Sequence, residues 1–188
     1  MATVGGSPLL ERDPDVRVEW VSWEGRPPGS PFAPYSPEQR LENFEKNHKG
    51  LAAKYDVPIR PAGGNYRTTS AHLATFYARE QGKFRAFRDR VYQARWVDDA
   101  NLESPDVLAG LGEEIGLSGA EIKRVVAEQR YLAILHSQRA QGKGLGIYGI
   151  PSFVVRGKIF WGKDVIDDVR QEVARLKQEL LEKQKQSA

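Results

Sequence analysis

The sequence predicts an α/β protein in which a strand is followed by a block of helices, a two-strand hairpin and a terminal helix. Three observations carry this reading. Gly149 to Asp164 holds a β-branched run broken by Gly157-Lys158, the pattern of a short hairpin. Val16 to Ser22 alternates apolar and polar residues as a half-buried strand does. Between them apolar residues recur at helical spacing in blocks bounded by capping residues and glycines. The chain has 188 residues, 40% hydrophobic and 28% charged, so it is long enough to bury a sizeable core and falls in the globular class.

Taken in order, Pro8 to Arg12 reads as the end of a helix running into the Val16–Ser22 strand. Gly25 to Pro31 is too rich in proline and glycine for regular structure. Ser36-Pro37-Glu38 supplies an N-cap with proline at the first helical position, and one helix is expected from Pro37 to Tyr55. After a loop from Pro58 to Gly64, Ala71, Leu73, Ala74, Tyr77 and Ala78 mark a helix that stops at Gly82, and Phe84, Phe87, Val91 and Tyr92 mark another. Asp98 to Glu103 is a turn, and Ser104-Pro105 caps a helix that Gly116 ends. Ser118 caps the next, expected to run unbroken through Ile122, Val125, Val126, Leu132 and Leu135 to the glycines at 142, 144 and 146. Pro151 suits the first residue of a strand, where no ladder N–H is needed. From Asp164, Val165, Ile166, Val169, Val173 and Leu176 make an amphipathic helix whose charged end is expected to fray.

Composition narrows the chemistry. No cysteine is present, so this chain offers no disulfide, no thiolate nucleophile and no zinc–sulfur site. His48, His72 and His136 do not stand in a metal-binding spacing. Net charge is +3, but basic and acidic residues alternate, which argues against a nucleic-acid partner. No window approaches the roughly 18 apolar residues of a membrane span, and Met1 to Gly6 lacks the basic and apolar regions of a signal peptide. The expectation is a cytoplasmic protein without a membrane partner.

The stretch Gly146-Ile147-Tyr148-Gly149-Ile150-Pro151-Ser152-Phe153-Val154-Val155, followed by Gly157-Lys158-Ile159-Phe160-Trp161-Gly162-Lys163-Asp164, resembles the DsbA-like thioredoxin family. It is similar to the branch holding FrnE-type oxidoreductases, 2-hydroxychromene-2-carboxylate isomerases and kappa-class glutathione transferases. Asn65-Tyr66-Arg67, Tyr77 to Gly82 and Ser104 to Leu108 support the match by their order. The resemblance implies a thioredoxin-like fold with an inserted helical domain. Residues 1–35 would form a leader, strand and loop, 36–145 the inserted helical domain, 146–176 the closing hairpin and helix, and 177–188 a charged tail. The family's first strand and its Cys-x-x-Cys or serine segment have no counterpart here, and roughly 20 to 25 residues of the usual start are missing by element lengths. A truncated start is the favoured explanation, ahead of a remnant in which Met1 to Gly6 or a second chain, as in a domain-swapped homodimer, fills the gap, or a divergent fold.

By that resemblance the ancestral activity is thiol–disulfide oxidoreduction, inactive in this chain for want of a thiol, and no catalytic residue is assigned. The alternatives are a glutathione-dependent isomerase or transferase, with glutathione as cofactor, and a non-catalytic module that binds extended peptides. A thiol-containing small molecule or an extended peptide is the expected partner. Ile150 would offer its backbone beside a cis Pro151, against the reading of a trans proline opening a core strand. Lys163 and Asp164 would meet the γ-glutamyl end, against Asp164 as a plain helix cap. Asn65 and Arg67 would meet a ligand carboxylate, against a capping Asn and a solvated Arg. Trp161 would wall the pocket, while Trp20 belongs to the core. His72 is the general-base candidate, set against a buried structural histidine.

Overall fold

The computed structural model describes residues 10–31, 35–61, 66–162 and 164–186. Leu10 and Glu11 are helical, and the chain turns at Asp13, whose carbonyl accepts from the Val16 N–H at 3.1 Å. From Val16 to Ser22 burial alternates: Val16, Val18 and Trp20 turn inward and Arg17, Glu19 and Val21 outward. That is the predicted strand pattern, yet no ladder forms, and the sheet among the described residues contains only the hairpin. Alternating burial fixes an extended conformation, but a strand also needs a neighbouring backbone to pair with, and among the described residues none ladders with it. Side chains serve instead: Arg79 donates to the Trp20 carbonyl at 2.7 Å, and the Ser22 N–H donates to Gln138 Oε1 at 2.8 Å.

The helix expected from Pro37 to Tyr55 is two helices, α1 (Pro37–Asn47) and α2 (Lys49–Lys54). Ser36 and Gln39 form a reciprocal capping box at the start of α1. The break falls at His48, whose backbone leaves helical values (φ −126°) and whose ring lies 5.7 Å from Trp96. Helices α3 (Thr69–Glu80), α4 (Phe84–Trp96) and α5 (Pro105–Glu113) follow the sequence prediction, with Ser104 capping α5 at the Val107 N–H. The long helix expected after Ser118 is also two, α6 (Gly119–Ala127) and α7 (Leu132–Gly144). Gln129 takes a left-handed backbone (φ 50°) between them, and buried Tyr131 donates its hydroxyl to Glu80 at 2.5 Å. A continuous apolar stripe therefore did not require a continuous helix.

Strands β1 (Ser152–Val155) and β2 (Lys158–Trp161) pair antiparallel, with Val155 opposite Lys158 and Phe153 opposite Phe160. Arg156 and Gly157 both have positive φ, 45° and 85°, the type I′ turn that matches the twist of a two-residue hairpin. Helix α8 (Ile166–Gln186) runs through the charged segment expected to fray, where Lys177 donates to Asp13 and Asp15. No helix among the described residues is long and apolar enough to cross a membrane.

Two apolar clusters result. The larger joins α3 to α7 through Leu73, Phe87, Leu108, Ile122 and Leu135, all essentially fully buried. The smaller joins Leu10 to Ile166 and Val169 of α8, with Val18, Phe153 and Phe160 packed against it. Between them Arg88 reaches from α4 to Glu11 at 2.5 Å, and its guanidinium lies over the Trp20 ring at 4.4 Å. Burial opposes ionisation of Glu11, but hydrogen bonds from Arg88 and Trp20 outweigh it and hold the carboxyl below its ordinary range. Glu11→Ala should cost about 3 kcal/mol in urea unfolding, the low end for breaking a buried pair because exposed Asp89 still holds Arg88. Replacing Glu11 and Arg88 together by leucine should recover most of that loss.

Candidate functional site

A cleft of about 580 Å³ lies between the extended Val16–Trp23 segment and the Ile150–Arg156 stretch leading into and through β1. Its floor is one face of α3, where His72, Thr75 and Arg79 recur at helical spacing, joined by Arg88 of α4 and Gln138 of α7. Trp20, Trp23, Phe84 and Phe153 add apolar wall. The Ile150–Pro151 peptide bond is cis, and Ile150 is 37% exposed at the rim.

The polar groups of the floor differ in how they are satisfied. Thr75 donates its hydroxyl to the Ala71 carbonyl at 2.7 Å, one turn back. Arg79 meets a carbonyl and the Phe84 ring at 4.4 Å, and burial lowers its pKa while leaving it charged. His72 is 1% exposed, and neither ring nitrogen has a hydrogen-bond partner among the described residues. Burial drives its pKa down to about 3, so near neutral pH the imidazole is uncharged and too weak a base for proton abstraction. It can still give one hydrogen bond and accept one.

The residues singled out in the sequence scatter. Ile150 and Pro151 line the cleft, whereas Trp161 lies outside it, exposed, with its indole over Gly149: a Cβ there would stand 2.6 Å from Nε1. The Asp164 carboxylate accepts from Lys54 Nζ at 2.5 Å and from the Tyr55 hydroxyl at 3.1 Å, and those two bonds lower its pKa. Both bonds fall on Oδ1, so this oxygen is tied to the chain's own groups. Arg67 donates to the carbonyls of Arg26, Pro27 and Ser30, at 3.2, 2.8 and 3.3 Å, and so pins the proline-rich loop. Asn65 and Lys163 lie outside the described residues. Sequence reasoning missed Arg79 and Gln138, and of the four tryptophans it weighed as pocket walls it kept Trp161, whereas Trp20 and Trp23 line the cleft. The signal available was the 72/75/79 spacing, a polar stripe on an otherwise apolar helix.

Comparison with known proteins accords with this architecture. The chain belongs to the family described as DSBA-like thioredoxin domain, matched over residues 8–174. It is 28% identical over 165 residues to the uncharacterized protein YwbO of Bacillus subtilis (strain 168), covering 81% of this chain and 80% of that one. It is 30% identical over 117 residues to a 2-hydroxychromene-2-carboxylate isomerase of Sphingobium xenophagum, covering 62% of this chain and 59% of that protein. Among solved structures, a probable DsbA oxidoreductase of Streptomyces coelicolor superposes with a TM-score of 0.77 at 20% identity, over 92% of this chain and 81% of that one. A 2-hydroxychromene-2-carboxylate isomerase structure superposes at 0.69 with 15% identity, over 79% and 74%. At those identities the superpositions establish the thioredoxin-like fold of the family.

His72 gives the cleft a pH signature. Its folded pKa is depressed, so the unfolded chain binds a proton below about 6.5 that the folded chain refuses until about 3. Its contribution to stability is therefore complete above pH 6.5 and lost progressively as pH falls toward 3. Urea midpoints measured at intervals across that window should fall less steeply for His72→Gln than for the parent protein.

Proposed function

We propose that this DSBA-like thioredoxin domain binds a thiol-bearing ligand of extended backbone, glutathione being the smallest candidate, along the Ile150–Pro151 rim. The observation that carries the reading is the exposed Ile150, joined by a cis bond to Pro151, at the lip of a cleft with aromatic walls, in a chain that holds no cysteine. Attack on a disulfide needs a thiolate. This chain supplies none, so dithiol exchange falls outside what its own side chains can do, whereas a bound thiol brings its own sulfur. The relative named 2-hydroxychromene-2-carboxylate isomerase supports a glutathione-dependent isomerase or transferase over an oxidoreductase. Binding by Asp164 is not needed for this reading, since Lys54 and Tyr55 already engage that carboxylate.

Calorimetric titration with reduced glutathione should give saturable binding with Kd between micromolar and millimolar, about −8 to −4 kcal/mol. The same protein should not accelerate the reduction of insulin disulfides by dithiothreitol above the uncatalysed rate. No saturable heat, or accelerated insulin reduction, would remove the reading.

A further inference from the structure

Strand β2 presents an open edge whose outward groups are specified by the hairpin alone. In a two-residue type I′ hairpin the residues flanking the turn form a hydrogen-bonded pair, and such pairs then alternate. Lys158 and Phe160 therefore spend their backbone groups on Val155 and Phe153, and the Gly162 N–H donates to the Pro151 carbonyl at 3.1 Å in the same phase. Ile159 and Trp161 fall in the other phase, so their N–H and C=O groups point away from β1 and from the cleft, which no residue of β2 lines. No other backbone group among the described residues meets them. Edge strands are ordinarily blunted by proline, a bulge or an outward charge. Here the one charge of β2 is drawn elsewhere: the Lys158 ammonium lies 3.0 Å from Glu172 of α8 and over the Phe160 ring at 4.9 Å. The outward phase carries apolar side chains, Ile159 at 39% and Trp161 at 69% exposed, beside the loop that holds Gly146, Gly149 and exposed Tyr148.

We propose that β2 is the self-association edge of this chain: a second copy pairs with it antiparallel about a two-fold axis at Phe160, joining two hairpins into one sheet with no segment exchanged. That register sets Ile159 opposite Trp161 of the second copy, and the two-fold repeats the pair. Both outward-phase residues then form hydrogen-bonded pairs, and their apolar side chains cover each other on one face. Charge selects a second copy in this orientation. At the turn end of the edge stands Arg156, with which no carboxylate forms an ion pair among the described residues. Beyond the other end, Lys163 to Asp168 carry three carboxylates against one ammonium. Lys54 and Tyr55 hold Asp164 by Oδ1, and its Oδ2 has no partner among the described residues. Antiparallel pairing brings the Arg156 end of each copy to the Asp164 end of the other, twice per dimer, whereas parallel pairing sets like ends together. A peptide of one sign of charge matches only one end.

The test uses the full chain without ligand, so its outcome is independent of glutathione binding. Sedimentation velocity should show a reversible monomer–dimer equilibrium with Kd of about 10–100 µM, the weak range of a small interface. Amide exchange at Ile159 and Trp161 should slow as protein concentration rises, while Phe160, already paired with β1, stays unchanged. Ile159→Pro removes an N–H that the hairpin does not use; it should leave the urea midpoint near that of the parent and raise Kd at least about tenfold. Arg156→Asp should weaken association about tenfold, and Arg156→Asp combined with Asp164→Arg should recover most of it. The proposal is overturned if the chain stays monomeric up to about 1 mM, or if a dimer forms whose protection spares Ile159 and Trp161. It is also overturned if folded Ile159→Pro dimerises as the parent does, the result expected of a dimer that exchanges the start of the chain.

Discussion

Helix α3 sets the terms for the rest of the molecule. Eight consecutive residues, Ala71 to Ala78, are buried, and a helix buried around its whole circumference must be covered on every side. Helices α4 to α7 cover one side, and every one of them packs against α3. The opposite side carries His72, Thr75 and Arg79, too polar for a dry interface and too enclosed for free solvation. The extended segment and the hairpin close over that side without sealing it, which is why the cleft lies there.

The cleft's character follows from how each backbone group finds a partner. Helices satisfy their own, whereas an extended segment must borrow, and here the lenders are side chains of α3 and α7. Arg79 is thereby held in a partly buried position by a carbonyl and a ring, and among the described residues no carboxylate forms an ion pair with it. Arg88, a few ångströms from Trp20, is handled differently, with Glu11 and Asp89 taking its charge. Two arginines in one floor thus play unlike roles: one ties Glu11 to α4, and the other leaves a positive field in the cleft.

Helix positions were legible in the sequence wherever local chemistry specified them. Ser36, Ser104 and Ser118 cap the helices that follow them, and Arg156-Gly157 makes the turn between β1 and β2. What escaped depended on partners distant in sequence. The apolar spacing through Val125 and Leu135 could not reveal the left-handed Gln129, because two helices packed on one core present the same stripe as one. Val16 to Ser22 has the alternation of a strand, but alternation records burial and not whether a second backbone is alongside. For the site, Ile150 and Pro151 were legible through the motif that contains them. Asp164 and Arg67 were legible only as residue types, and their partners, Lys54 and the carbonyls around Pro27, are fixed by tertiary contact.

The smaller apolar cluster has a consequence for how the molecule assembles. Leu10 meets Ile166 and Val169, and Lys177 reaches Asp13 across 164 residues of chain, whereas the larger cluster is closed entirely within α3 to α7. On a ribosome the helical block has all its partners once α7 has emerged. The start of the segment from Leu10 to Trp23 must wait, with Leu10 and Val18 uncovered, until α8 is made. Its hydrophobic residues are therefore the ones a chaperone would meet longest, and their alternation with Arg17 and Glu19 places charges where they hinder premature strand pairing.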